Sequence, residues 1–486
     1  MATNRNSSEP LPPLVVDLDG TLIKTDLFFE SISQFITRHP LRFGSILKWL
    51  SKGRSQLKFQ LALNYKFDAS SLPYNRKLIS WLSEQHLLGR KIVLATAAHK
   101  ILAQGVANHL RFFDEVLATE GKINLKANNK RDLLVAKYGE RGFDYIGNDI
   151  ADFTVWKASN AAYVVSSSTA FIERVSQIGN LTKSFPTEKP NLIKSLVKSL
   201  RPHQWFKNIL IFVPLLTAQR IGDLTSDIEA LIAFVVFGLT ASSVYLLNDI
   251  VDIENDRHHQ LKQYRPFAAG NLSLITGWLI WPLLLLAALG LAYYKLSTAY
   301  VAVLVIYFLI TIAYTLLLKQ IAILDILTLA SLYTLRIVAG AAAISVPLSF
   351  WLLTFSMFIF FSLALVKRFS ELKSMQEKNI EGPLRGRNYE HKDLEIVTTM
   401  GISSGYLSVL VLALYIQDGH TTGLYRYPEL IWFGCPILLF WISRVWLITY
   451  RGHMHHDPII FALKDRVSIY LGFILVMLYA INGIGL

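Results

Sequence analysis

From about residue 205 onward the chain is a succession of apolar stretches, most near the length that crosses a bilayer, and this limits its fold more than any other feature. Nine candidate spans run over 206–218, 228–247, 275–294, 298–317, 323–344, 349–366, 397–416, 429–449 and 468–485. In hydrocarbon every backbone polar group must be satisfied within the protein, so these stretches read as helices. The region after residue 200 is therefore expected to be an all-α polytopic membrane domain of about nine transmembrane helices. Residues 1–190 instead mix polar and apolar residues as a water-soluble domain does. The first ten residues have no apolar core, so they do not read as a cleaved signal, and the first domain is expected in the cytoplasm. With that start, Arg257, Lys262, Arg265, Lys319, Lys367, Arg368, Lys378, Arg385, Arg387 and Arg451 all fall on inside loops or span ends. The outside loops carry only Arg220, Lys295 and Arg426. This asymmetry predicts a multi-pass protein of a bacterial-type inner membrane. It accounts for much of the +13 net charge without nucleic acid. The single cysteine, Cys435, excludes a disulfide within the chain.

The second candidate span ends in Asn248-Asp249-Ile-Val-Asp252-Ile-Glu-Asn-Asp256. Spacings of three and four put the three aspartates on one helical face, where they repel unless a cation lies between them. Hard oxygen ligands beside a membrane suit Mg²⁺, which usually arrives with substrate phosphates. Asp249, Asp252 and Asp256 are thus candidate metal ligands; a solvated acidic helix end is the alternative. Basic residues gather near the same side: Arg201 and Lys207, the latter beside Asn208, flank the first span, then Arg257, Lys262 and Arg265 follow the aspartates. Lys319, Arg336, Lys367, Arg368, Arg387 and Arg451 follow, with Asp325 at the start of a span. Unpaired charge there is costly and tends to be functional. Carboxylates for Mg²⁺ ringed by bases make a site for a phosphorylated donor.

The aspartate motif, placed after the second span, resembles the first metal motif of the UbiA superfamily of intramembrane transferases. That resemblance implies nine helices around a cavity that holds Mg²⁺ and a diphosphate donor. The superfamily's second acidic motif is reduced here to Asp325, with Thr328 and Leu329 following. A finer resemblance is to the decaprenyl-phosphate phosphoribosyltransferase branch. It rests on Arg201-Pro-His-Gln-Trp-Phe-Lys207-Asn208, Lys262-Gln-Tyr-Arg265-Pro-Phe-Ala-Ala-Gly270, Leu335-Arg336-Ile-Val-Ala-Gly340, Lys367-Arg368-Phe-Ser-Glu371 and His456-Asp457-Pro458. It implies phosphoribosyl diphosphate as donor and a polyprenyl phosphate lipid as acceptor. Asn248 and Asp457 join the substrate-binding set. His456 stands where an aspartate is more usual, and its role is left open.

In the first domain, Leu14-Val-Val-Asp17-Leu-Asp19-Gly20-Thr21 is a short apolar strand that ends in two aspartates and a glycine turn. Lys91-Ile-Val-Leu-Ala-Thr96 and Phe143-Asp-Tyr-Ile-Gly147 are further strand-like runs, and helical stretches separate them. Alternation of this kind predicts a parallel α/β sheet of Rossmann type whose site lies at the carboxyl ends of the strands. The Asp-x-Asp-Gly-Thr run resembles the first motif of the haloacid dehalogenase superfamily of phosphatases. That resemblance makes Asp17 the nucleophile, Asp19 the acid and base, and Thr96 and Lys130 the groups on the phosphoryl oxygens. Asp149 and Asp152 join Asp17 and Asp19 around Mg²⁺. Lys126 rivals Lys130, and Asn148 stands where an acid is commonest. Residues 26–90 are expected to form a mostly helical cap.

The expected organisation is therefore a haloacid dehalogenase-like domain over 1–170, a linker and surface helix over 171–199, and a UbiA-like transferase over 200–486. The expected function is Mg²⁺-dependent phosphoribosyl transfer to the lipid, followed by removal of the 5-phosphate to give polyprenylphosphoryl ribose. An aromatic prenyltransferase using a prenyl diphosphate is the alternative enzyme. A lipid-binding scaffold or transporter is the non-enzymatic one. Oligomeric state is left open, a homo-oligomer included.

Overall fold

The fold is a computed structural model that describes residues 11–65, 68–120, 124–187, 190–377, 382, 384, 387–417, 427–454 and 457–483. Lys378, Arg385, Arg426 and His456 lie outside the described residues. The chain gathers into two compact units, residues 1–200 with 246–280 and residues 201–245 with 281–486.

The first unit is built on six parallel strands: β1 (Leu14–Val16), β2 (Ile92–His99), β3 (Glu115–Thr119), β4 (Asp144–Gly147), β5 (Ala162–Val165) and β6 (Leu181–Phe185). Their order is β3-β2-β1-β4-β5-β6. The central strands are apolar and buried on both faces, as helices covering both sides of a sheet require. This is the doubly wound order, with its switch point between β1 and β4. Strand β6 corrects the expected linker. Residues 181–185 pair with β5 in parallel, so the domain runs to Phe185 and not to 170. The strand was hidden because it is a short edge with polar Thr182, Lys183 and Ser184 beside a proline.

The expected insert over 26–90 is helical. Leu27–Arg38, Phe43–Ser51 and Arg54–Asn64 close on a small core of Phe35, Ile46, Leu57 and Leu61. Arg76–Leu87 instead packs Leu78 and Leu82 into the main core beside the sheet. Residues 246–280, which the sequence assigns to the membrane body, join this first unit.

Among the described residues seven helices are long and apolar enough to cross a membrane: Leu224–Val251, Leu274–Lys295, Thr298–Leu316, Leu324–Ala343, Phe350–Glu377, His391–Gln417 and Glu429–Tyr450. The count differs from nine at the two ends. The stretch 206–218 is a 3₁₀ run, Pro202–Phe212, followed by the short helix Val213–Thr217, because Pro214 cannot donate to a continuing helix. The last stretch is the shorter helix Arg466–Gly483. In the second unit the spans meet through small residues. A Cβ on Gly340 would lie 2.0 Å from the Ile211 carbonyl oxygen, and one on Gly401 would lie 2.1 Å from the Trp446 ring. Such close backbone approach is how helices gain contact where lipid removes the hydrophobic drive.

Candidate functional sites

The aspartate motif does not lie on one unbroken helix. Leu224–Val251 ends, and Asp252 is the N-cap of Ile253–His258. Helical bonding nevertheless carries through, with Asp252 N donating to Asn248 O at 2.9 Å and Asp256 N to Asp252 O at 2.8 Å. The three carboxylates therefore keep their helical spacing. Asp249 and Asp256 are both about 2% exposed. Between them stands Arg265, whose Nη1 is 3.2 Å from Asp249 Oδ1 and 2.6 Å from Asp256 Oδ2. Burial raises the Asp256 carboxyl above its usual range even though Arg265 pulls the other way. Among the described residues no three His, Cys, Asp or Glu side chains gather closely enough to hold a metal ion unaided. Mg²⁺ needs only one or two carboxylates when waters and phosphates complete its shell. Two carboxylates that already converge on one positive charge fit that requirement. Lys262 is exposed in the loop that follows.

Arg257, expected at the substrate, is placed elsewhere. Its guanidinium is buried against Glu30, with Nη2 2.5 Å and Nη1 3.3 Å from the carboxylate oxygens. Its Nε donates to Ala268 O at 3.1 Å. Both edges are used, so the expected phosphate contact is withdrawn.

In the second unit Lys207 Nζ lies 2.8 Å from Asp457 Oδ2, with Lys367 Nζ at 3.8 Å. Burial raises the Asp457 carboxyl, but the two lysines more than reverse this and leave it below its usual range. Arg336, buried in Leu324–Ala343, donates from Nε to Asn208 Oδ1 at 3.0 Å. Its guanidinium carbon is 5.3 Å from the ring centres of Phe237 and Tyr333 and 5.4 Å from that of Tyr307. Asp325 and Arg368 have fully buried side chains and pair at 2.6 Å. Asp325 also accepts from Tyr389 Oη at 2.7 Å and from Arg387 Nη1 at 3.2 Å, and Arg368 pairs with Glu371. The lone survivor of the second acidic motif is thus surrounded by cations and a phenol. As placed, Asp325 and Arg368 bind each other, while Arg368 Nε has no hydrogen-bond partner among the described residues. Lys319 lies half-buried in a 3₁₀ turn, and Arg451 is exposed just after Glu429–Tyr450. The same unit has an open apolar pocket of about 890 Å³ lined by Val213, Val346, Phe350, Leu412 and Tyr479 among others. Val346 follows the end of Leu324–Ala343 that is opposite Asp325, so the pocket is set apart from that ionic network.

At the carboxyl ends of the sheet strands, Asp17 follows β1 and its Oδ1 accepts from Lys130 Nζ at 2.6 Å. Lys130, rather than Lys126, therefore makes this contact. It also donates to Tyr145 Oη at 2.9 Å, and Tyr145 donates to Asp152 Oδ1 at 2.7 Å. Asp152 Oδ2 accepts from the amides of Asn148 and Asp149, each at 3.0 Å. Asn148 Oδ1 accepts from Thr21 Oγ1 at 2.8 Å, and Gly20, at φ +75°, leaves room for that side chain. Thr96, fully buried in β2, accepts from Ala98 N at 3.0 Å. Asp19 Oδ1 accepts from Leu27 N at 2.8 Å.

Burial raises Asp17 to about 6, with Asp152 adding to the rise and Lys130 opposing it. Asp19 is held well above its usual range by burial and by Asp26. Burial pulls the Lys130 ammonium down, but Asp17 and Asp152 more than restore it, so it stays charged. Sequence reasoning missed Tyr145, which bridges Lys130 and Asp152, and Lys58. Lys58 reaches from the insert to Ala97 O at 2.6 Å and Asn124 Oδ1 at 3.0 Å. Neither lies in a motif; only long-range pairing identifies them.

Residues 210–463 match the model of the UbiA prenyltransferase family. The chain is 34% identical to the uncharacterized protein y4nM of Sinorhizobium fredii over 95% of its own length and 89% of that protein's. It is 36% identical to nodulation protein NoeC of Azorhizobium caulinodans over 56% of its length and 88% of that protein's. It is 32% identical to decaprenyl-phosphate phosphoribosyltransferase of Mycobacterium tuberculosis over 59% of its length and 94% of that protein's. Among solved structures it is similar to a UbiA homolog from Archaeoglobus fulgidus bound to GPP and Mg²⁺. That likeness has a TM-score of 0.45 and 14% identity, and it covers 60% of this chain and 98% of that one.

Proposed function

The chain is a multi-pass membrane protein of the UbiA prenyltransferase family, and on that premise we propose that it transfers a 5-phosphoribosyl group from phosphoribosyl diphosphate to a polyprenyl phosphate. One observation carries the choice of donor. The position that would complete a second acidic site, Asp325, is neutralised by Arg368 and Arg387. This leaves one set of carboxylates able to take a metal and a surplus of cations, which suits a donor with more phosphate charge than a prenyl diphosphate has.

In this reading Asp249, Asp252 and Asp256 would hold Mg²⁺, which neutralises the diphosphate as it leaves. Asn248, Arg265 and Lys262 serve the donor phosphates. Within the second unit, Lys207, Lys367, Lys319 and Arg451 are the cations proposed for phosphate, while Asn208 and Asp457 orient Arg336 and Lys207 and Arg387 stays on Asp325. An oxygen of the lipid phosphate attacks the anomeric carbon as the bond from that carbon to diphosphate breaks. The α/β domain acts as a haloacid dehalogenase-like phosphatase on the ribose 5-phosphate, and it faces the cytoplasm.

There, Asp17 attacks phosphorus, Asp19 protonates the leaving alkoxide and then deprotonates water, and Thr96 and Lys130 hold phosphoryl oxygens. Asp17 and Asp19 would hold a second Mg²⁺ together with waters and the phosphate, and Asp149 and Asp152 would support it from behind, Asp152 through Tyr145 and the amides it accepts from. Asp17, at about 6, is ionised at neutral pH as a nucleophile must be, and burial holds Asp19 well above its usual range, the direction an acid needs.

The test supplies purified protein with Mg²⁺, polyprenyl phosphate and labelled phosphoribosyl diphosphate and reads the lipid products by mass. A polyprenylphosphoryl ribose without 5-phosphate is expected. If geranyl diphosphate competes for the site better than phosphoribosyl diphosphate does, the donor assignment is wrong.

A further inference from the structure

Within the first unit, the segment that carries Asp256 and Arg265 is fastened to the helical insert of the α/β domain. Arg257 follows Asp256 in the same short helix, and its guanidinium holds both oxygens of Glu30, on helix Leu27–Arg38. The side chains are 4% and 1% exposed. Its Nε binds Ala268 O, on the returning limb of the loop. One guanidinium therefore fixes both ends of the segment in which Asp256 meets Arg265. The neighbouring contacts repeat the direction. Arg38 pairs with Glu254 at 2.9 Å, Trp278 Nε1 donates to Ser33 Oγ at 3.1 Å, and His258 meets Asp68 at 3.0 Å. A Cβ on Gly270 would lie 2.8 Å from Lys24 Cβ, so the backbones approach closely as well.

A buried ion pair adds little stability over apolar side chains of the same shape. Its best-attested use is to fix register, and removing one partner strands a buried charge. The contacts of Arg257 are with Glu30 and Ala268 O, which are structural partners and not reacting groups. We propose that Glu30 is a positioning residue for the transfer reaction. Through Arg257 it fixes the loop of Asp256 and Arg265, so the insert of the α/β domain is a working part of the membrane enzyme. The proposal rests on the reading above for the role of Asp256, and it holds whether or not the α/β domain hydrolyses phosphate.

The test is hydrogen exchange on the metal-free full-length protein in detergent, comparing wild type with Glu30→Gln. Amides of residues 253–268 are expected to exchange about tenfold faster, with β1, β2 and β4 unchanged. Asp144→Asn breaks another buried ion pair of the same domain, with Arg90, and should leave 253–268 as in wild type. If Glu30→Gln does not fold, Arg257→Lys keeps the charge but loses the two-pronged contact and should give the same local rise. The Mg²⁺ concentration for half-maximal lipid product should also rise about tenfold in Glu30→Gln, as loss of an orienting contact behind a metal ligand does. It should not rise in Asp144→Asn. Unchanged exchange over 253–268, or an equal rise throughout the sheet, overturns the proposal. Absence of lipid product from the wild type counts against the reading of the reaction only, because the exchange data decide the positioning by themselves.

Discussion

Asp17 and Asp19 are two residues apart and both buried, yet their surroundings differ. Asp17 has Lys130 at 2.6 Å, whereas Asp19 accepts from a backbone amide and feels the repulsion of Asp26 more strongly than the pull of Lys130. In the phosphatase role proposed for the α/β domain Asp17 is the nucleophile, and a nucleophile must be ionised. With Asp17 at about 6, its anion is fully present only above that pH and is lost as pH falls through it. Hydrolysis of a simple aryl phosphate should therefore show an acid limb near pH 6 at low Mg²⁺. Raising Mg²⁺ should move the limb to lower pH, because the cation favours the carboxylate. A limb that ignores Mg²⁺ would separate Asp17 from the metal. Arg336 permits a second prediction at this scale. Its planar guanidinium bonds Asn208 while sitting among three aromatic rings, a geometry that an ammonium cannot copy. Arg336→Lys should cost about 1–3 kcal/mol, seen as a lower unfolding midpoint in detergent, and Arg336→Met should cost at least as much. Equal midpoints for all three proteins would show that the ring cage contributes nothing.

At the scale of elements, the close approach of Pro202–Phe212 to Leu324–Ala343 depends on one missing methyl. Gly340→Ala would put a Cβ 2.0 Å from Ile211 O, a backbone atom that cannot swing aside. The two segments must separate, which should cost about 1–3 kcal/mol. The shift should also loosen the bond from Asn208 to Arg336, since both ends belong to these segments. Gly290→Ala, where nothing lies within 4 Å, is the control and should leave the midpoint unchanged. If the two alanine variants unfold at the same temperature, the close approach is not tight. These elements also show what the sequence could reveal. Strands β1, β2 and β4 were legible because each is an apolar run that ends in a polar residue. The long spans were legible because nothing else is so apolar for so long. Strand β6 was not, for an edge strand of mixed polarity lacks any periodic signal. The first candidate span read as a helix because hydropathy does not register Pro214. The site was legible where it is local, in Asp17, Asp19 and the aspartate motif. Partners such as Glu30 on Arg257 and Lys207 on Asp457 are 227 and 250 residues apart, and Lys130 entered only through the resemblance. Nothing in the spacing of a lone lysine or glutamate records such a partner. Arg257 is the instructive case, since a base beside an acidic motif looks like a phosphate ligand until its own counter-ion is found.

At the scale of the whole molecule, one chain joins a UbiA-family membrane body to an α/β domain, and the match to y4nM extends over 95% of the chain. If the two activities proposed here act in sequence, covalent tethering raises the concentration of the second site for the first site's product, on the order of millimolar for a short linker. A mixture experiment reads this directly. Asp17→Asn should make the phosphoribosyl lipid and keep its 5-phosphate, and Asp256→Asn should make no lipid product. Mixed at equal amounts in separate detergent micelles, the two proteins should release the phosphorylated lipid first and dephosphorylate it slowly, at a rate that rises with protein concentration. Wild type should show little of that intermediate at any time, and its ratio to final product should not depend on protein concentration. The lipids are separated by mass at early time points, when the difference is largest. If wild type accumulates the phosphorylated lipid as the mixture does, the fusion confers no advantage in passing it on. If the mixture never loses the 5-phosphate while wild type does, the lipid reaches the phosphatase only within the chain that made it, and tethering is then a requirement of the second step and not merely an acceleration.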